Sequence, residues 1–121
     1  MATVLVVDDS PTMREMVVDQ LKQSGMTVIE AQDGTDAVEK LQNTTPDIVV
    51  TDVVMPKMNG YELCRWIKKN ESTKDVPVVM CTTKSEEFDK HWGMKQGADA
   101  YITKPYEPAE LIKTIKGLLK G

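Results

Sequence analysis

The chain has 121 residues, 40% of them hydrophobic and 28% charged, which implies one domain with a real core and excludes a mainly disordered chain. Fifteen basic against nineteen acidic residues leave a net charge of −4, which excludes the basic face of a nucleic-acid-binding module but not a small cation site. No apolar run approaches the roughly 18 residues of a membrane span, and Val4–Val7 is too short and too poorly flanked for a signal peptide, so a cytoplasmic protein is expected.

Val4-Leu5-Val6-Val7 is a solid aliphatic run, the mark of a strand buried on both faces. Ser10 followed by Pro11 reads as an N-cap with proline at the first helical position. Met13, Met16, Val17 and Leu21 continue at helical spacing, and Gly25 stops that helix. Thr27-Val28-Ile29 is a second strand. Asp33-Gly34 turns the chain into a second helix marked by Ala37, Val38 and Leu41.

Thr45-Pro46-Asp47 breaks the pattern before a third strand, Ile48-Val49-Val50. An irregular loop from Asp52 to Gly60 leads to a third helix carrying Leu63, Cys64 and Ile67. Val76-Pro77-Val78-Val79-Met80 is the expected fourth strand, with its proline near the start. Ser85 is expected to cap a fourth helix that Gly97 ends. Ala100-Tyr101-Ile102 is the fifth strand, and Pro108 opens a last helix with Leu111, Ile112, Ile115, Leu118 and Leu119 on one face. Five β-α units in succession predict an α/β chain, one doubly wound parallel sheet with helices on both sides, spanning residues 1–121.

Ligands of such sheets bind at the carboxyl ends of the strands. The first strand delivers Asp8 and Asp9 there, the third Asp52, the fourth Thr82 and Thr83, the fifth Lys104. Two unit charges about 4 Å apart repel by roughly 4 kcal/mol at an effective dielectric near 20. Grouped carboxylates therefore imply a hard divalent cation, Mg²⁺ (or Mn²⁺), which characteristically takes one or two carboxylates together with phosphate oxygens. The lysine and a threonine hydroxyl suit a phosphoryl group. Neither a GxGxxG nor a GxxxxGK[ST] motif is present, which argues against dinucleotide and P-loop sites. A carboxylate can itself be the phosphoryl acceptor, and Asp52, alone at the end of a central strand, is the candidate.

Other features read more plainly. Cys64 and Cys81 lack CxxC spacing and are small apolar filler. His91, the one histidine, is an exposed helix residue. Lys68-Lys69 and Lys113, Lys116 and Lys120 are solvated faces. Phe88 and Trp92, four apart on a helix, suit a core stripe or a partner face equally.

Val6-Val7-Asp8-Asp9-Ser10-Pro11, Asp33-Gly34, the run from Thr51-Asp52 through Met55-Pro56 to Asn59-Gly60, Thr82-Thr83, and Gly97-Ala98-Asp99-Ala100-Tyr101-Ile102-Thr103-Lys104-Pro105 together resemble the receiver domains of two-component response regulators, typified by CheY. The resemblance covers essentially the whole chain. It implies a flavodoxin-like (βα)5 fold with strand order 2-1-3-4-5. It implies a phosphoacceptor switch rather than an enzyme of multiple turnover, with Asp52 accepting the phosphoryl group of a CheA-like histidine kinase. Asp8 and Asp9 hold Mg²⁺ with Asp52 and the Val54 backbone carbonyl, Thr82 and Lys104 contact the phosphoryl group, and Tyr101 is the switch aromatic. The Lys104–Pro105 bond is expected to be cis.

The resemblance also implies a protein output partner at the face of the fourth helix, fifth strand and fifth helix, including Lys84, Trp92, Lys95, Tyr101 and Tyr106. A monomer or weak homodimer is expected, with no nucleic acid and no membrane as partner. No output domain follows Lys120, so a stand-alone receiver is expected, and the stretch Phe88–Gly97 resembles the PilH/PixH-type regulators of type IV pilus twitching and phototaxis. Val54 and Lys84 depart from the CheY pattern, which points to slow self-dephosphorylation, and Thr83 is bulkier than the usual residue. Two other readings stand beside this one. A haloacid-dehalogenase-like phosphatase puts its nucleophile in a DxDxT motif on the first strand, where this chain has Asp8-Asp9-Ser10. A phosphate-independent adaptor would not need the acidic and lysine set.

Overall fold

Aliphatic runs with no polar face form the interior strands. In the computed structural model, which describes residues 2–120, these are β1 (Thr3–Val7), β3 (Ile48–Thr51) and β4 (Val78–Thr82). The more polar β2 (Thr27–Ala31) and β5 (Ala100–Thr103) take the two edges. All neighbours pair in parallel, in the order β2-β1-β3-β4-β5. The order and the parallel sheet match the expectation. Alternation along each strand then splits the core into two layers. Leu5, Val7, Val49 and Met80 face α2 (Gly34–Leu41), α3 (Gly60–Lys69) and α4 (Glu87–Lys95). Val4, Val6, Val50, Val79 and Ile102 face α1 (Pro11–Gln23) and α5 (Pro108–Lys120).

The helix signals act locally. The Met13 N–H donates to Ser10 Oγ at 3.3 Å and Pro11 opens α1, as expected. The cap of α3 is stronger than its sequence suggested: Asn59 Oδ1 accepts from the Glu62 N–H at 2.9 Å while Glu62 accepts from the Asn59 N–H at 3.0 Å. Gly97 ends α4 at φ +107, a left-handed conformation that favours glycine.

The starts of β4 and α4 differ from expectation. The fourth strand begins at Val78, not Val76. The Val76 N–H closes a turn on the Thr73 carbonyl, and Pro77 contributes only its carbonyl, which accepts from the Val49 N–H at 3.0 Å. The strand therefore runs two residues further and carries Thr82 inside its end. Ser85 does not cap α4. The helix starts at Glu87, and the Asp89 carboxylate turns back to accept from the Glu86 N–H at 3.2 Å. Lys68 is not simply solvated: it pairs with Asp99 at 2.9 Å and donates to the Val76 carbonyl, tying the end of α3 to the loops flanking β4.

Candidate functional site

Because every strand is parallel, the residues that end β1, β3, β4 and β5 meet at one edge of the sheet. Asp8 follows β1 and is buried, with 4% of its surface exposed. Its Oδ1 accepts from the Ser10 N–H at 3.0 Å and its Oδ2 from Lys104 Nζ at 3.0 Å. Asp52 follows β3. Its Oδ1 accepts from the backbone N–H groups of Val53 and Val54, and its Oδ2 from Lys104 Nζ at 3.3 Å. A single buried ammonium thus bridges two carboxylates delivered by neighbouring strands.

Lys104 is placed by β5. Its N–H donates to the Thr82 carbonyl at 2.8 Å, and the following Lys104–Pro105 bond is cis, as expected. Burial by itself favours the neutral amine. The carboxylates of Asp52 and Asp8 outweigh that, and Lys104 titrates above the ordinary lysine value. It is therefore a fixed positive charge at neutral pH. Thr82 is fully buried, and its Oγ1 accepts from the Lys84 N–H at 3.4 Å.

The three expected carboxylates share the edge without closing a cage. Asp9 is exposed, and among the described residues no three His, Cys, Asp or Glu side chains converge as a metal nest. The point between Asp8 and Asp52 is held by the Lys104 ammonium. The donor set still fits a hard divalent ion of the Mg²⁺ kind, which needs only one or two carboxylates and completes its shell with water and phosphate oxygens. Two facing carboxylates with an exposed third beside them meet that need.

Residues to which the sequence assigned no role at the site complete it. Arg14, on the first turns of α1, donates to the Asp8 backbone carbonyl at 2.7 Å and pairs with Glu30 at 3.1 Å, so it clamps the acidic loop to β2. Its place one helical turn beyond the Ser10 cap was the available signal. At Gly60 a Cβ would stand 2.2 Å from the Asp52 carbonyl oxygen, so only glycine lets α3 start against the phosphoacceptor candidate. Lys57 adopts φ +69, and the flanking Met58 N–H closes onto the Pro56 carbonyl at 2.8 Å. This turn leads the chain to the start of α2, where the Gly34 N–H donates to the Met58 carbonyl at 3.2 Å.

The expected readout residues pack against both layers, around the edge strand β5. The Tyr101 hydroxyl donates to the Lys84 carbonyl at 2.8 Å, and Lys84 Nζ lies 3.5 Å from Asp89. Tyr106 belongs to the opposite layer, where its hydroxyl donates to Gln20 on α1. α4 meets α3 through Asp89, whose carbonyl accepts from the Tyr61 hydroxyl, and through Gln96, which accepts from Arg65. Trp92 is exposed, with 38% of its surface open. Phe88 is 72% exposed and stacks on Trp92 with ring centroids 6.4 Å apart, which removes the core-stripe option. Lys95 and His91 are exposed. Val54, two residues after Asp52, is 61% exposed.

This arrangement is matched by known proteins. The response regulator receiver domain family matches residues 4–116. Protein PilH of Pseudomonas aeruginosa is 42% identical over 121 residues, covering all of both chains. Protein PilG of the same organism is 43% identical over 113 residues, covering 93% of this chain and 84% of that one. The chemotaxis response regulator CheY4 of Vibrio cholerae superposes with a TM-score of 0.91 at 36% identity, covering 98% of each chain. With its parallel sheet in the order β2-β1-β3-β4-β5 and its Asp8–Lys104–Asp52 bridge, the chain belongs to the response regulator receiver domain family.

Proposed function

We propose that residues 1–121 form one receiver domain that works as a phosphorylation-controlled switch, with Asp52 as the phosphoacceptor. The observation that carries this reading is the Lys104 ammonium held between the Asp8 and Asp52 carboxylates. The acceptor carboxylate is oriented by two backbone N–H groups, and a buried cation stands where phosphoryl oxygens would gather. The donor is a phosphohistidine of a CheA-like histidine kinase. The Asp52 oxygen forms the new P–O bond, the P–N bond breaks, and the imidazole keeps the electron pair.

Asp8, Asp9, Asp52 and the Val54 carbonyl are the groups that would hold Mg²⁺, or Mn²⁺ in its place. When bound, that ion neutralises charge on the transferring phosphoryl group. Thr82 and Lys104 bind the transferred group. The phosphoryl group shifts the protein only by the difference in its binding to two arrangements of the β4–α4 and β5–α5 loops. Tyr101, hydrogen-bonded to the Lys84 carbonyl, is placed to follow such a shift. Burial raises its phenol above the ordinary value, so it remains a donor at neutral pH.

The output is a protein partner on the α4, β5, α5 side, in a motility pathway of the type IV pilus or chemotaxis kind; the full-length similarity to PilH supports that choice. Among the described residues no helix is long and apolar enough to cross a membrane, and we place the protein in the cytoplasm as a monomer or weak homodimer. The exposed apolar Val54 offers no polar group to guide water, which supports slow loss of the phosphoryl group. The test is phosphotransfer from an autophosphorylated CheA-like kinase. The reading expects label on the wild type and none on Asp52→Asn; equal labelling of both would overturn it.

A further inference from the structure

A cavity of about 810 Å³ lies on the outer flanks of α1 and α5, among residues that the phosphoacceptor chemistry does not use. Its α5 wall is a second helical stripe: Ala109, Ile112, Lys113, Lys116, Gly117 and Lys120, at spacing i, i+3, i+4, i+7, i+8, i+11. The core stripe of the same helix is separate, with Leu111 and Ile115 fully buried. The other wall is the C-terminal half of α1.

Two independent observations mark this groove as a docking surface. The first is charge. Lys113, Lys116 and Lys120 are exposed, no acid lines the cavity, and none of the three lysines makes an ion pair among the described residues. On a chain of net charge −4, that is a concentrated and unneutralised positive strip. The second is Gly117. Glycine inside a helix destabilises it relative to alanine, yet a Cβ at 117 would meet nothing within 4 Å. Among the described residues no neighbour requires glycine there, and its absent side chain leaves a notch open to the groove.

We propose that this groove binds an acidic amphipathic helix of a partner protein, with its small apolar ridge in the notch at Gly117 and its carboxylates facing the three lysines. Both walls are helices that follow strands of a parallel sheet on the same face, so they run parallel and leave a trough fitted to a third helix. From Ala109 to Lys120 the trough is about 17 Å long at 1.5 Å per residue, or about three turns. A second copy of this chain is disfavoured because a two-fold contact here sets one lysine row close to its own symmetry mate. A flat anionic bilayer cannot enter the notch. The surface does not depend on phosphorylation of Asp52.

The probe is a stapled helical peptide of about four turns, with glutamates spaced to meet the three lysines and alanines and leucines on the ridge. Its control carries lysines in place of the glutamates. Amide shifts of the full chain are followed by NMR. The acidic peptide is expected to shift residues 109–120 and the C-terminal half of α1, with affinity that falls as salt rises. The triple variant Lys113→Glu, Lys116→Glu, Lys120→Glu is expected to bind it about tenfold more weakly and to prefer the basic peptide. Gly117→Leu is expected to abolish binding, whereas Gly117→Ala keeps the fold. Equal binding of the two peptides, shifts on another surface, no shifts at about 1 mM peptide, or full affinity in a folded Gly117→Leu chain each overturn the proposal. So does binding of anionic vesicles to this groove in place of the peptide.

Discussion

Gly93 of α4 lies directly against the Tyr101 ring: a Cβ at position 93 would stand 2.9 Å from Tyr101 Cδ2 and 2.9 Å from Met80 Sδ. The absent side chain of one residue thus fixes where the other can rest. Gly93→Ala gains about 1 kcal/mol of helix propensity but overpacks an aromatic ring at a cost of about 1–3 kcal/mol. We expect a net loss of about 1 kcal/mol in the wild-type background and a clearly smaller loss in Tyr101→Ala, where only the flexible Met80 side chain still has to give. A double-mutant cycle by urea unfolding measures the difference; additive effects would show that the ring does not rest there.

Lys104 pairs with two carboxylates at once, at 3.0 and 3.3 Å. Lys104→Met leaves both with backbone N–H donors but no cationic partner. Stability in metal-free buffer should drop by about 1–3 kcal/mol and recover when Mg²⁺ is added. Phosphoryl uptake at saturating Mg²⁺ should slow by about 10²-fold, the scale of losing one fixed charge aimed at the transferring group. Wild-type uptake in this variant would remove Lys104 from the chemistry.

Asp52→Asn should move stability the other way. The Lys104–Asp8 pair stays intact while one of the grouped negative charges disappears. We expect a gain of about 1 kcal/mol without divalent ion, by relief of like-charge repulsion. Mg²⁺ should raise the urea midpoint of the wild type more than that of the variant. A less stable Asp52→Asn chain would mean that the carboxylates do not repel.

Asp33 caps α2. It accepts from the Asp36 N–H at 2.8 Å and the Thr35 hydroxyl at 2.7 Å, and these bonds hold its carboxyl below the usual carboxylate value. A depressed folded value means that the charge stabilises fully above the ordinary 3.8 and less as pH falls through the folded value. Lys104 has the opposite sign: its contribution is full below the ordinary 10.5 and fades only as pH rises through a still higher folded value. Asp33→Asn should lose about 0.5 kcal/mol at pH 7 and converge with the wild type in strong acid. Parallel stability curves down to pH 2 would contradict this.

The legible parts of this fold were local. Aliphatic runs announced β1 and β3, Ser10-Pro11 and Gly97 announced helix ends, and parallel alternation alone sent Asp8, Asp52, Thr82 and Lys104 to one edge. What escaped depends on residues far apart in the chain. The start of β4 is set by Val49 pairing with the Pro77 carbonyl, and that of α4 by Asp89 turning back. The pairing of Lys104 with Asp8, 96 residues away, could not be read from the sequence either. Arg14 and Gly60 matter through backbone atoms of Asp8 and Asp52, which no spacing rule reveals. Tyr101 and Tyr106 pack against opposite layers of the core, and Tyr106 lies beyond the end of β5, where strand alternation no longer places a side chain.

The most direct measurement is the intact mass of the chain after incubation with acetyl phosphate, with and without Mg²⁺, for the wild type and Asp52→Asn. A single phosphoryl gain, dependent on Mg²⁺ and seen only in the wild type, is the expected result. A gain that survives Asp52→Asn, or that ignores Mg²⁺, would contradict a switch built on Asp52 beside Asp8 and Lys104.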